Sequence, residues 1–242
     1  MTYLKATTLD GGSFGNPAVK WRVGEITRDP TTTSRRVLCQ EGLLHAATIE
    51  TETLITWRPD VALWPCRLFR IEPWSEFQEV SVWNGFGWAG ARAWRVVEEL
   101  DAWRVFGPQG REVAALIERL GGLDTTAAGR EVAALIERLR GLDILRCISC
   151  GGNARRCASP AAAKAARREH RQAAWSGARD AAQHAVRMAA GGVAPSQAGR
   201  ALEDFADFAA EAATALVVRD LISDEDYEML TFPWASVMGG AQ

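Results

Sequence analysis

Cys66-Arg67-Leu68-Phe69-Arg70-Ile71, Gln78-Glu79-Val80-Ser81-Val82-Trp83 and Ala93-Trp94-Arg95-Val96-Val97 are three short β-prone runs, with Asn84-Gly85 between the second and the third. β-branched and aromatic residues fit a pleated, half-buried surface, and these runs are rich in them. In the first run Cys66, Leu68 and Phe69 sit against Arg67 and Arg70, so the alternation is imperfect. Asn84-Gly85 directly after a strand suits a hairpin turn, because both residues tolerate positive φ. Three further runs precede them: Leu4–Thr7, Val19–Val23 and Arg36–Cys39. Asp10-Gly11-Gly12, Asn16-Pro17 and Asp29-Pro30 supply turns between them. Thr48–Trp57 departs from this pattern, with Ile49, Thr53, Leu54 and Trp57 at helical spacing and Pro59 beyond as a stop. A short helix is expected there. Residues 1–105 therefore read as a small, tryptophan-rich α+β domain with a mixed sheet, suited to recognition.

Eight of the ten tryptophans lie between Trp21 and Trp103, whereas residues 144–242 hold 26 alanines. Such a shift in composition means two different packing solutions. Most of the tryptophans are expected to pack on the sheet. Trp83, Phe86 and Trp88, around Gly85 and Gly87, are the set most suited to an exposed binding surface. The class expected for the whole chain is α+β, a sheet domain followed by an all-α, alanine-rich region.

The 242 residues are 48% hydrophobic and 24% charged, which excludes disorder throughout. No stretch reaches the roughly 18 uncharged apolar residues of a membrane span. Met1-Thr2-Tyr3-Leu4-Lys5 lacks the apolar core of a signal peptide. Five cysteines are too few for a disulfide scaffold, so a reducing cytoplasm, that of a bacterial host cell, is expected. The net charge of −2 conceals a separation. Residues 1–105 are net −1 and residues 106–143 net −1, but residues 144–200 carry 10 basic and 2 acidic side chains. Residues 201–242 carry 1 basic and 9 acidic side chains. A +8 segment is thus followed by a −8 segment.

Between the sheet domain and the charged region lies a duplication. The fifteen residues 110–124 recur at 129–143 with one change, glycine at 121 against arginine at 140. Val113, Leu116, Ile117 and Leu120 fall at i, i+3, i+4 and i+7, as do Val132, Leu135, Ile136 and Leu139. Residues 106–144 are expected to form two amphipathic helices, as a hairpin or spacer.

Residues 145–242 open on Cys147-Ile148-Ser149-Cys150-Gly151-Gly152, the shape of a zinc knuckle: two thiolates on one ion, with glycine freeing backbone amides toward the sulfurs. Cys157 and His170 would complete four ligands. A structural zinc is the one cofactor the sequence suggests. Plain thiols, or a redox CxxC, are the alternatives.

Ser159 is a good N-cap and Pro160 suits the first turn, so one helix is expected from there to Ala190. Ala174, Trp175, Ala178, Ala181, Ala182, Ala185, Val186 and Ala189 form its apolar stripe. Lys164, Arg167, Arg168, Arg171, Arg179 and Arg187 decorate the rest. A second helix is expected over Ser196–Leu221, with Glu203, Asp204, Asp207 and Glu211 on its acidic side. A capping motif at Ser223–Asp226 opens a short last helix that Pro233 ends. The two long helices are expected to pair antiparallel. The sharper alternative leaves the basic helix, through Arg167, Arg168, Arg171 and Arg179, free for an acidic partner or a phosphate backbone. The partners expected are protein or a second copy of the chain, with nucleic acid as an alternative and no membrane.

No Walker A loop, GxGxxG, GxSxG, HExxH or EF-hand loop is present. His45, on a strand followed by a short helix, is similar in setting to the histidine of ADP-ribosyltransferase-type folds, which holds nicotinamide ribose. That resemblance makes His45 the one catalytic candidate; the alternative is a hydrogen-bonded structural histidine whose acidic neighbours line a solvated helix face. A second resemblance rests on Val23-Gly24-Glu25, on Leu38-Cys39 followed by Gly42-Leu43-Leu44-His45-Ala46, and on Cys66–Glu72. This pattern resembles an uncharacterised phage and prophage domain with an "LCxxGlHA" signature. Arg95–Leu100, Ala215–Ile222 and Leu230-Thr231 with Pro233-Trp234 resemble hypothetical proteins of phages of high-GC hosts. The chain departs by an extra leucine before His45 and by the duplication. The resemblance implies a phage or mobile-element origin and supplies no activity. The function expected is that of a non-enzymatic accessory protein binding a partner, or itself, through the helical region. The alternatives are an ADP-ribosyltransferase-like enzyme and a zinc-stabilised nucleic-acid-binding protein.

Overall fold

The computed structural model of the protein describes residues 2–28, 43–54, 63–83, 86–122, 154–189 and 195–238; side chains are described there except at 76–83, 86–88, 154–157, 195–204 and 236–238. The fold is α+β. The chain forms two compact units, Met1–Gly107 and Pro108–Gln242.

The first unit is built on β1 (Tyr3–Thr7), β2 (Ile26–Arg28), β3 (Leu44–Ala47), β4 (Arg67–Trp83) and β5 (Phe86–Leu100). β4 and β5 form one long antiparallel ladder from Leu68↔Leu100 to Trp83↔Phe86. Asn84 and Gly85, the expected turn, lie outside the described residues. The other edge of β4 takes β1, with Tyr3↔Ile71 and Thr7↔Arg67 as outer rungs. β1 pairs with β3, and β3 with β5 at Trp88–Ala91. The ladder therefore returns to where it started and closes a small barrel. β2 continues the free edge of β5 at Ala93–Arg95.

Cys66–Ile71 and Gln78–Trp83, expected as separate strands, are one strand. The residue that would separate them, Pro73, sits at a register shift between Pro73 and Ser75. Proline has no N–H to give a ladder and is tolerated at bulges. The β1 ladder ends at Ile71, so no rung on that side needs it.

Val19–Val23 buries Val19 and Trp21 but exposes Val23, and it is not a strand. It makes a single bridge, Gly12↔Lys20, flanked by Trp21 N–H donating to Gly11 O at 2.9 Å. Gly11 adopts φ +81, and a Cβ there would lie 2.8 Å from the Trp21 carbonyl oxygen, so only glycine fits. Arg36–Cys39 lies outside the described residues. The helix expected over Thr48–Trp57 reduces, within the described part, to a 3-10 turn at Glu50–Glu52. Its acids are not a fully solvated face: Glu52 is buried and Glu50 is half-buried.

The barrel interior gathers Tyr3, Val19, Trp21, Leu44, Phe69, Ile71, Trp94 and Val96. Each large indole also satisfies its N–H. Trp21 Nε1 donates to Ser13 Oγ at 2.7 Å, and Trp94 Nε1 to the Leu44 carbonyl at 2.8 Å. Leu4, Ala6 and Leu68 face the opposite way by the strand period and are buried too. The 3-10 helix Ala102–Phe106 packs on β4. Val105 and Phe106 are fully buried, and the Phe106 ring centroid lies 4.9 Å from that of Trp64.

The second unit contains α1 (Gly110–Gly121), α2 (Ala154–Arg168), α3 (Gln172–Ala189), α4 (Pro195–Val217) and α5 (Asp224–Met238). In α1 the first copy of the duplication buries Val113, Leu116, Ile117 and Leu120, the stripe its periodicity predicts, and packs against α3 and α4. The second copy lies outside the described residues. α3 and α4 make the main helix pair. Ala174, Ala178, Ala181, Ala182 and Ala185 on α3, with Phe205, Ala209, Ala212 and Ala213 on α4, are all buried. Small side chains let two backbones approach closely. Arg171 at one end of α3 meets Val217 and Asp220, and Gln183 meets Asp207, so the helices run antiparallel.

The single helix expected from Ser159 to Ala190 is two helices. α2 runs from Ala154, with Pro160 inside it, to Arg168, and His170 just beyond it adopts φ 54. Arg171 N–H then donates to Ala166 O at 2.8 Å, the six-to-one closure of a Schellman motif. Glycine is the residue that conformation favours. His170→Gly is therefore expected to raise stability by up to about 1 kcal/mol, read as a rise in melting temperature of about 2–4 °C. α5 is capped as expected, with Asp226 N–H donating to Ser223 Oγ at 3.1 Å. Pro233 does not end it; the helix continues to Met238.

Candidate functional site

The cationic face of the helical unit is the first candidate. Arg171 is consumed internally: its guanidinium holds Asp220 through two bonds, at 2.5 and 2.8 Å, and donates to Val217 O at 3.1 Å. Arg171 is therefore a clamp on the C-terminal end of α4, where the helix dipole also favours a cation. Arg167 and Arg168 are exposed on the last turn of α2, beside Lys164, and Arg187 is exposed on α3. None of these four makes an ion pair among the described residues. Arg179 is exposed and stands over the Trp175 ring, 5.8 Å from its centroid. Of the four expected binding arginines, the structure thus leaves Arg167, Arg168 and Arg179 presented to solvent and removes Arg171. Asp207 on α4 accepts from Gln183 at 3.0 Å, an uncharged donor.

The second candidate is an open cleft of about 410 Å³ in the barrel unit. One wall is the β4–β5 rung Arg70↔Glu98, whose side chains join by Arg70 Nε donating to Glu98 Oε1 at 2.7 Å. The other is the contact between the two 3-10 segments, where Arg104 Nη2 meets Glu50 Oε1 at 2.5 Å. Leu4, Ile49 and Leu100 complete its apolar lining. No local pattern in the sequence marks these four charged residues as one site. Arg70 and Glu98 are 28 positions apart and meet only through the hairpin register, which no local pattern encodes.

His45 does not line this cleft. It stands on β3 opposite Gly90, half-buried. Burial, and then the charge of Lys5, push its pKa below the usual histidine value, so the imidazole is neutral at neutral pH. The acids after it are already engaged or enclosed: Glu50 pairs with Arg104, and Glu52 is buried. Cys66, the free thiol among the described residues of this unit, is buried and pushed up to about 12 by that burial, which makes it a poor nucleophile.

Of the expected zinc ligands, Cys147 and Cys150 lie outside the described residues. Cys157 is near the start of α2, where its side chain is not described, and His170 follows the end of that helix. At about 1.5 Å rise per residue the helix separates their backbones by roughly 16 Å. Trp83 and Trp88 are placed on β4 and β5, two rungs apart on the same hairpin, and their side chains are not described. Among the described residues no helix is long and apolar enough to cross a membrane. Comparison of the chain with protein-family models, curated proteins and solved structures finds no match.

Proposed function

We propose that the chain is a non-enzymatic accessory protein of phage type, whose helical unit holds an acidic protein surface, on another protein or on a second copy of the chain. The observation that carries this reading is the distribution of partners among the basic residues. One arginine, Arg171, closes the bundle. Lys164, Arg167, Arg168 and Arg187 stay exposed without an ion pair among the described residues. Clustered arginines with open donor edges suit carboxylates, which they bind bidentately. The same unit exposes Glu225 and Glu228 on α5, so a second copy offers a complementary surface.

The test is a triple charge reversal, Lys164→Glu, Arg167→Glu and Arg168→Glu, in the full chain. Binding of a fluorescent polyglutamate peptide and of a DNA duplex is measured by anisotropy, and self-association by sedimentation, each across a salt series. Polyglutamate binding or self-association that falls at least about tenfold in the variant, with a DNA affinity no tighter than micromolar, supports the proposal. Duplex binding that is tighter than polyglutamate binding, with a steep salt dependence, replaces it with the nucleic-acid reading. Equal behaviour of variant and wild type overturns it.

A further inference from the structure

We propose that the cleft of the barrel unit is a binding site for a small zwitterion, a free amino acid or short peptide with one ammonium and one carboxylate group. The proposal is independent of the helical face, which belongs to the other unit. Its volume of about 410 Å³ falls in the range of small-molecule sites. Its chemistry is set by two ion pairs that each use one bond. Arg70 commits Nε to one oxygen of Glu98, and Arg104 commits one terminal nitrogen to one oxygen of Glu50. A guanidinium has five N–H donors and a carboxylate about four lone-pair sites. Both arginines therefore keep donors, and both glutamates keep an acceptor oxygen, beside the same cleft. A neighbouring diagonal pair differs: Arg67 and Glu99 join through two bonds, at 2.8 and 2.6 Å, and do not line the cleft.

Two cations and two anions cancel, so the cleft has no net attraction for a simple anion or cation. A ligand that presents both signs finds a donor and an acceptor on each wall, with Leu4 and Ile49 to cover its carbon atoms. The pairs are not needed to hold the fold. Their side chains are 32–50% exposed, and such pairs contribute little stability.

The experiment follows backbone amide resonances of the full chain during titration with glycylglycine, with sodium acetate and methylammonium chloride as single-charge controls. The expected result is saturable shifts at residues 48–50 and 98–104, with a Kd of about 1–10 mM for glycylglycine and at least about tenfold weaker responses to either control. Glu98→Gln and Arg104→Gln are each expected to weaken glycylglycine binding about fivefold while the spectrum stays dispersed. If a variant loses its dispersion, the decision rests on the wild-type discrimination between glycylglycine and acetate. No saturation by about 50 mM, acetate alone reproducing the shifts, or folded variants that bind like wild type would each overturn the proposal.

Discussion

Replacing Trp94 with alanine is expected to destabilise the barrel unit by about 3–5 kcal/mol, a large share of what a small domain has. Three losses add. The indole is fully buried, so its removal leaves a cavity rather than a solvated hollow. Its ring meets Tyr3 edge-on, with centroids 5.3 Å apart, and that contact disappears. Its N–H satisfies the Leu44 carbonyl, which becomes an orphan. Trp94→Phe separates these terms: it keeps most of the volume, loses the hydrogen bond, and is expected to cost about 1–2 kcal/mol. The measurement is denaturant unfolding combined with hydrogen exchange at the β3 and β5 amides, which Trp94 ties together. A Trp94→Ala protein with wild-type exchange protection in those strands would show that the indole does not hold the barrel closed.

Trp94 also shows what the sequence makes legible. Ala93–Val97 reads as a strand because bulky apolar residues alternate with arginine, and that signal is local. The sheet domain, the stripe of α1, the alanine faces of α3 and α4 and the cap at Ser223 are visible for the same reason. Each depends on residues within one or two turns of each other. What escaped depends on distant partners. Pro73 looks like a strand breaker until the β1 ladder is seen to end at Ile71. Val19–Val23 alternates like a strand, but with one bridge available it remains a loop. Ile26–Arg28 is too short to stand out and exists because β5 extends past the end of β3.

The helical region misled in a different way. Nothing in Glu169-His170-Arg171 breaks a helix by composition, whereas Gly177 is the residue least suited to a helix interior. The chain turns at His170 and keeps Gly177 buried within α3, where the absence of a side chain suits close packing. Ser159-Pro160 reads as a helix start, yet α2 is already under way at Ala154. The candidate sites follow the same division. Basic residues at helical spacing are readable as solvent-facing, and Arg167 and Arg168 on α2 and Arg179 on α3 are exposed. That Arg171 is spent inside the bundle depends on Asp220, 49 residues away. The charged cleft depends on hairpin register and was not readable at all.

Arg171 therefore carries the second large effect. Arg171→Met keeps the aliphatic stem and removes the charge and every donor. The wild-type side chain is 14% exposed, and its partner Asp220 is 39% exposed. A partly shielded bidentate pair with a further bond to a helix-terminal carbonyl is expected to be worth about 2 kcal/mol, or a fall of about 4–8 °C in melting temperature. The exposed bond between Gln183 and Asp207, further along the same helix pair, has no charged donor and should cost well under half of that when removed. Dependence on pH identifies the cause. The Arg171 guanidinium lowers the Asp220 pKa below the usual carboxylate value. A carboxylate whose folded pKa is depressed adds stability above its unfolded value, near 4, and loses that contribution as pH falls through the folded value. Wild type should thus lose stability on acidification below about pH 4 faster than Arg171→Met does. Asp220→Asn should flatten the same limb, and the double variant should be no less stable than Arg171→Met alone. A double variant whose losses simply add would mean that the two residues do not act on each other, and that the end of α4 is held by some other contact.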